Sequence, residues 1–234
     1  MGYTPDEMLN IFKEYGKEIK YFDIKNLFKG IIDIVIKKKL TIDGLNSGNK
    51  LENIIKKACL NNNIKYINEV KKYLFIPSVD LNTGKIYFFS SINNNRSYSD
   101  KIIYINNIEV WKAVRASCSY PGVFSPYKYK STELVDGGIR ENIPWKQLKE
   151  IGVDKVISVI FSKKIKNKKE KNIIDVIDGS LDILCHELSI YELNGVDSLI
   201  NISTEDISLL DVKKIEELYN IGYVITKEYI EDKK

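Results

Sequence analysis

The chain has 234 residues, with 36 Lys and Arg against 32 Asp and Glu for a net charge of +4, and 44% of its residues are hydrophobic. That length and balance suit one soluble domain and argue against disorder. No apolar run approaches the ~18 residues of a membrane-crossing helix, and the opening MGYTPDEMLN lacks the basic and apolar regions of a secretory signal, so the expected location is cytoplasmic.

The predicted elements begin at Thr4-Pro5-Asp6-Glu7. Thr4 caps, Pro5 suits the first helical position and Glu7 closes a capping box, which predicts a helix over 5–20. From Tyr21 to Ile67 the chain reads as mixed helix and loop, broken at Gly30, Asp43-Gly44 and Ser47-Gly48, with Leu51, Ile54, Ile55 and Ala58 at helical spacing. From Tyr73 the period becomes that of a strand. YLFIPSVDL, the turn Asn82-Thr83-Gly84 and KIYFFSS together predict a hairpin, and the Asn-rich SINNNRSYSD a loop. Ile108, Trp111, Val114 and Cys118 share one face of a helix that stops at or before Tyr120, because Pro121 disfavours helical geometry in the residue before it. Glu133 to Val135 is a short strand leading into Asp136-Gly137-Gly138. PWKQLKEIG predicts a helix opened by Pro144 and ended by Gly152, and DKVISVIF a strand covered on both faces. Amphipathic helices over 173–193 and 212–230 then flank the strand VDSLINIS. This alternation is that of an α/β fold, and with no repeat, low-complexity segment or linker it predicts a single domain over 1–234.

Cys59, Cys118 and Cys185 stand far apart without CxxC spacing, which argues against a disulfide framework and a structural zinc site, so they read as buried thiols. The single histidine, His186, excludes any mechanism that needs two imidazoles; it shares a helix face with Ile183 and Ile190 and reads as structural. The run SKKIKNKKEK, which holds Lys163, Lys164, Lys166, Lys168, Lys169 and Lys171, reads as a solvated loop, with contact to anionic lipid as the alternative. Arginine is scarce and no aromatic residues are interleaved, so nucleic acid is not an expected partner.

Chemistry concentrates in ELVDGGIRENIPW. Ligands of open α/β sheets bind outside the carboxyl ends of strands, and Asp136 stands at such an end, followed by Gly137 and Gly138, which permit a tight turn and close backbone approach. There Asp136 acts as a general base or as an orienting charge; an Asp-Gly turn without chemistry has the same local pattern. Upstream, in RASCSYPGVFSPY, small residues such as Ser117 end a helix and let it pack closely beneath a cleft, and the turn from Pro121 to Phe124 offers an apolar wall.

Taken in order, FIPSVDLNTGKIYFFSS, VWKAVRASCSYPGVFSPY and ELVDGGIRENIPW resemble the patatin-like phospholipase family, through a D-L-x-T-G turn, an A-S-x-x-x-P-G-V-F segment, and an L-V-D-G-G strand end followed by an N-x-P step. The resemblance runs from about Gly2 to Phe161. It implies a mainly parallel central sheet flanked by helices and a catalytic dyad of serine and aspartate that releases fatty acids from phospholipids or other acyl lipids, with no metal or other cofactor. The dyad aspartate maps onto Asp136. A dyad without histidine agrees with a chain that has only His186.

The serine of such a dyad sits in a G-x-S-x-G elbow, and neither that pattern nor a G-G-x-x-G loop occurs in these 234 residues. Ser47 in GLNSGNK lacks the first glycine and a preceding apolar strand, so it is rejected as the nucleophile. In the family a segment like Gly2-Tyr3-Thr4-Pro5-Asp6-Glu7-Met8 follows shortly after the elbow. The resemblance therefore implies a single incomplete domain without the family's first strands, its unpaired strand edges open to aggregation. Three readings follow. In one, a lipid acyl hydrolase is completed by an N-terminal segment or partner. In the second, a non-catalytic protein self-associates or touches a membrane surface peripherally. The third is a degenerate fragment with no activity of its own.

Overall fold

A computed structural model of the chain describes residues 2–16, 43–93, 100–162, 173–204, 207 and 212–233. The end of the first predicted helix beyond Gly16, residues 17–42, most of the Asn-rich loop and the lysines of the basic run lie outside the described residues.

Helix α1 spans Pro5–Gly16 and opens as the capping box predicts. The Glu7 N–H donates to Thr4 Oγ1 at 3.3 Å and the Thr4 N–H donates to Glu7 Oε2 at 2.7 Å. Helix α2, Asn49–Asn61, carries the periodic Leu51, Ile54, Ile55 and Ala58 and buries Cys59. Strands β1, Phe75–Asp80, and β2, Ile86–Ser90, form the predicted antiparallel hairpin. Asp80 builds its turn by accepting the Asn82 N–H and the Thr83 hydroxyl, and Gly84, at φ 68, closes it in the left-handed region. Strand β3, Ile102–Ile105, emerges after the Asn-rich loop and pairs parallel with β2. Helix α3, Val110–Ser117, stops before Tyr120 and Pro121 as expected. Strands β4, Tyr127–Tyr129, and β5, Thr132–Asp136, make a second hairpin. Helix α4, Lys146–Glu150, strand β6, Ile157–Ser162, helix α5, Ile173–Glu192, strand β7, Ser198–Ser203, and helix α6, Ile215–Glu231, complete the order.

The fold is α/β, a central sheet flanked by helices, but the pairing departs from the expected parallel pattern. The described strands form a five-stranded sheet in the order β3-β2-β1-β5-β4 and a separate pair, β6-β7. Within the five-stranded sheet only β2 and β3 run parallel, while β1/β2, β1/β5 and β4/β5 are antiparallel. The reason lies in the connections. Short turns at 81–85 and 130–131 return the chain at once, which only antiparallel neighbours permit, whereas a parallel pair needs a longer crossover. β6 and β7, separated by α5, do pair in parallel.

α3 packs on β1 and β5 of the large sheet with α2 packed against it, and Cys59, Phe89, Trp111, Ala113, Ala116 and Leu134 form the core there. The expectation that β6 is covered on both faces is not met: Ile157, Val159 and Phe161 are 57%, 50% and 72% exposed. The helix on this sheet, α6, packs against β7 and buries Ile200 and Ile202. α6 is itself joined to α1 by Lys13–Glu216 and by the Tyr219 hydroxyl donating to Asp6. Among the described residues no helix is long and apolar enough to cross a membrane.

Candidate active site

β5 delivers Asp136 at its carboxyl end, beside Ser78 of β1 in the antiparallel register. Ser78 is fully buried and donates its hydroxyl to the Val135 carbonyl at 2.7 Å, which pins that strand end. The Asp136 N–H reaches back to the Ser119 carbonyl at 3.1 Å, so the end of α3, with Ser117 and Cys118, lies beside the strand end. The carboxylate is anchored on one side only: Oδ1 accepts the Gly138 N–H at 2.8 Å. No serine hydroxyl is bonded to it among the described residues. Burial pushes the Asp136 carboxyl up from the ordinary aspartate value, against the Gly138 N–H, which favours the anion.

The two glycines have separate reasons. A Cβ on Gly137 would stand 2.5 Å from the Pro77 carbonyl oxygen, a backbone atom that does not yield. A Cβ on Gly138 would stand 2.9 Å from Asn142 Oδ1 and 3.1 Å from Asp136 Oδ1. Beyond them the Arg140 and Glu141 N–H groups close onto the Gly137 carbonyl, and the Arg140 guanidinium donates to the Gly84 carbonyl, which ties the β1–β2 turn to the Asp136 turn. Two of the segments singled out in the sequence thus meet.

The third segment is joined through the stretch between the breakers Asp43-Gly44 and Ser47-Gly48, to which sequence reading assigned no role in the site. The turn Pro121-Gly122 leads into Val123 and Phe124, and residues 45–46 run alongside: the Leu45 and Asn46 N–H groups donate to the Gly122 and Val123 carbonyls, and the Ser125 N–H donates to Asn46 O. Arg115 locks this arrangement. It is 2% exposed and donates to Ser119 Oγ at 2.6 Å, Ser47 O at 2.7 Å and Ser125 O at 2.8 Å. Its guanidinium lies 5.3 Å from the Phe124 ring centroid and 6.0 Å from that of Tyr127. Phe124 is accordingly 9% exposed and packed on Arg115. Ser47, rejected as a nucleophile, uses its carbonyl as an Arg115 acceptor.

Sequence reading missed Arg115, although it stands in the R-A-S-C-S-Y-P-G segment, because a cation inside a helix exit gives no local sign of burial. The thiols also take unforeseen places. Cys59 is buried, but Cys118 and Cys185 are only half-buried, and the Asp136 charge reaches both. Burial and, second, Asp136 push the Cys118 thiol up to about 11, which keeps it protonated and a poor nucleophile. His186 is exposed on α5. No group of three or more His, Cys, Asp or Glu side chains converges as a metal site among the described residues.

The family model of the patatin-like phospholipases matches residues 1–149, which contain all three segments and the Asp136 turn. The chain belongs to the patatin-like phospholipase family. Among curated relatives, a lysophospholipase NTE1 of Meyerozyma guilliermondii is 24% identical over 169 residues, 61% of this chain and 12% of that protein. A lysophospholipase NTE1 of Debaryomyces hansenii is 23% identical over 163 residues, 58% of this chain and 10% of that protein. This patatin-like chain therefore matches about a tenth of the length of those relatives.

Proposed function

We propose that this patatin-like chain supplies the aspartate of a serine–aspartate site that hydrolyses carboxylic esters of acyl lipids. The observation that carries the reading is the Asp136 carboxyl: largely buried at a strand end, fixed through one oxygen by Gly138, and bonded to no serine hydroxyl among the described residues. Burial raises its proton affinity, which is what a proton acceptor for a hydroxyl needs. The family match and the lysophospholipase names of the relatives support lipid esters as the substrate class. In this reading the proton of a serine hydroxyl passes to Asp136 as the serine oxygen bonds to the ester carbonyl. Asp136 then returns the proton to the departing alcohol, and water releases the fatty acid by the same steps in reverse. The serine comes from a G-x-S-x-G segment outside these 234 residues.

The test fuses the chain to a G-x-S-x-G-bearing segment of a patatin-like relative and follows hydrolysis of a short-chain p-nitrophenyl ester. Asp136→Asn is expected to lower the rate by about 10² to 10⁴-fold. No hydrolysis above buffer, or a rate that Asp136→Asn leaves unchanged, sinks the reading. The apolar residues that β6 and α5 leave exposed, Ile157, Val159, Phe161, Leu184 and Tyr191, favour a second reading, a non-catalytic protein that binds lipid surfaces or itself. Sedimentation with anionic and neutral vesicles separates the two: binding without hydrolysis supports the second.

A further inference from the structure

Helix α5 lies beyond the residues that the family model matches, yet three side chains along one of its faces reach the turn that follows Asp136. Cys185, Ser189 and Glu192 stand at i, i+4 and i+7, the spacing that aligns side chains on a helix. Glu192, 7% exposed, accepts the Asn142 N–H on Oε1 at 3.1 Å and the Ile143 N–H on Oε2 at 2.7 Å, and its own carbonyl accepts the Trp145 indole N–H. Ser189 Oγ accepts from the Asn142 side-chain amide at 2.7 Å, and the Cys185 thiol donates to the Gly138 carbonyl at 3.6 Å. The Trp145 ring packs close against the end of α5: a Cβ on Gly195 would stand 3.1 Å from it.

Asn142 and Ile143 belong to no helix or strand, and Pro144 disfavours helical geometry at Ile143, so their N–H groups have no ladder to join. A buried carboxylate that offers one oxygen to each meets that need, with hydrogen bonds about twice as strong as neutral ones. It does so beside Asp136. Asn142 Oδ1 and Asp136 Oδ1 both lie against Gly138, 2.9 Å and 3.1 Å from where a Cβ would stand, and the Gly138 N–H anchors the Asp136 carboxylate. We propose that Glu192 is a positioning residue for Asp136: through Asn142 it seats Gly138 so that the Gly138 N–H meets the carboxylate, which makes α5 part of the site.

Two other roles for Glu192 leave different traces. As a charge near Asp136 it would shift the pH at which Asp136 titrates and leave the Gly138 bond whole. As a packing residue of α5 it would touch neither. The consequence for catalysis rests on the hydrolase reading above, but the seating of Gly138 is read without any ester, so the two fail separately.

The test follows the Gly138 amide proton of the whole 234-residue chain by NMR through the titration of Asp136. An N–H bonded to a carboxylate moves downfield as that carboxylate ionises, and Asp136→Asn identifies the movement by abolishing it. Glu192→Gln keeps the size of the side chain but turns an NH2 onto one of the two backbone N–H groups. It is expected to remove roughly half or more of the Gly138 movement, because an N–H···O bond weakens steeply once bent. Ser189→Ala, which frees the Asn142 amide, should act in the same direction and less. Ile200→Val, which loosens the packing of α6 on β7, should leave the movement whole. In an active fusion of the kind described above, Glu192→Gln is expected to lower kcat roughly 10 to 10²-fold at unchanged KM. A full Gly138 movement in Glu192→Gln overturns the proposal, as does its absence from the unaltered chain. Coil-like exchange of the Asn142 and Ile143 amides in the unaltered chain overturns it too, and that measurement needs no variant to fold.

Discussion

Gly48 and Arg115 offer a double-mutant cycle whose size follows from the geometry. Gly48 sits at φ 72, where any other residue pays the left-handed penalty of about 1–2 kcal/mol. A Cβ there would also stand 1.9 Å from Arg115 Nε, 2.3 Å from Cζ and 2.5 Å from Nη2. These atoms are held by Ser119, Ser47 and Ser125, so the guanidinium withdraws only by releasing bonds worth about 1.5–3 kcal/mol each. With one such bond lost, Gly48→Ala is expected to cost about 2.5–5 kcal/mol. Arg115→Leu keeps the apolar stem and deletes all three clashing atoms. On that background Gly48→Ala is left with the backbone penalty alone, so the cycle should show a coupling of about 1.5–3 kcal/mol. Urea unfolding of the four proteins measures it, with unchanged m-values as the check that only native-state stability moves. Equal costs of Gly48→Ala in the two backgrounds would refute the claim that Arg115 is pinned.

Asp136 titrates above its unfolded value, so the stability it confers is complete below the unfolded aspartate range and is lost as pH rises through the folded value. Asp136→Asn, neutral at every pH, should match or exceed the parent in thermal stability at about pH 8 and lose that advantage at about pH 4, where aspartates take up protons; a less stable variant at the higher pH contradicts the account. Val159→Lys places a charge on the exposed face of β6 and is expected to reduce light scattering while leaving stability within about 0.5 kcal/mol. Cys118, pushed up to about 11, should react with iodoacetamide at pH 8 on the order of 10²-fold more slowly than an ordinary thiol, as mass spectrometry of the labelled peptides would show.

Local chemistry made much of the architecture legible. The capping box at Thr4, the apolar spacing through α2, the Asn82-Thr83-Gly84 turn and the stop before Pro121 each act over a few residues, and each appears where the pattern put it. Asp136-Gly137-Gly138 was likewise visible, because a strand end followed by two glycines is a local signal. Strands β3 and β4 were not, since KIIYINN and YKY are too short to establish a period against their loops.

By itself, then, the amino-acid sequence determined the α/β class, the family and the candidate aspartate, all of which rest on short motifs and on periods of two and 3.6 residues. The tertiary structure decided how those pieces meet. Strand direction depends on which edges find each other, so a chain that reads as parallel α/β has, among its described strands, a five-stranded sheet that is largely antiparallel. Arg115 bonds to Ser47, 68 residues away, and Glu192 to Asn142, 50 residues away. Such contacts are selected by the burial of charge and the need of buried N–H and C=O groups for partners, and neither leaves a pattern in neighbouring residues.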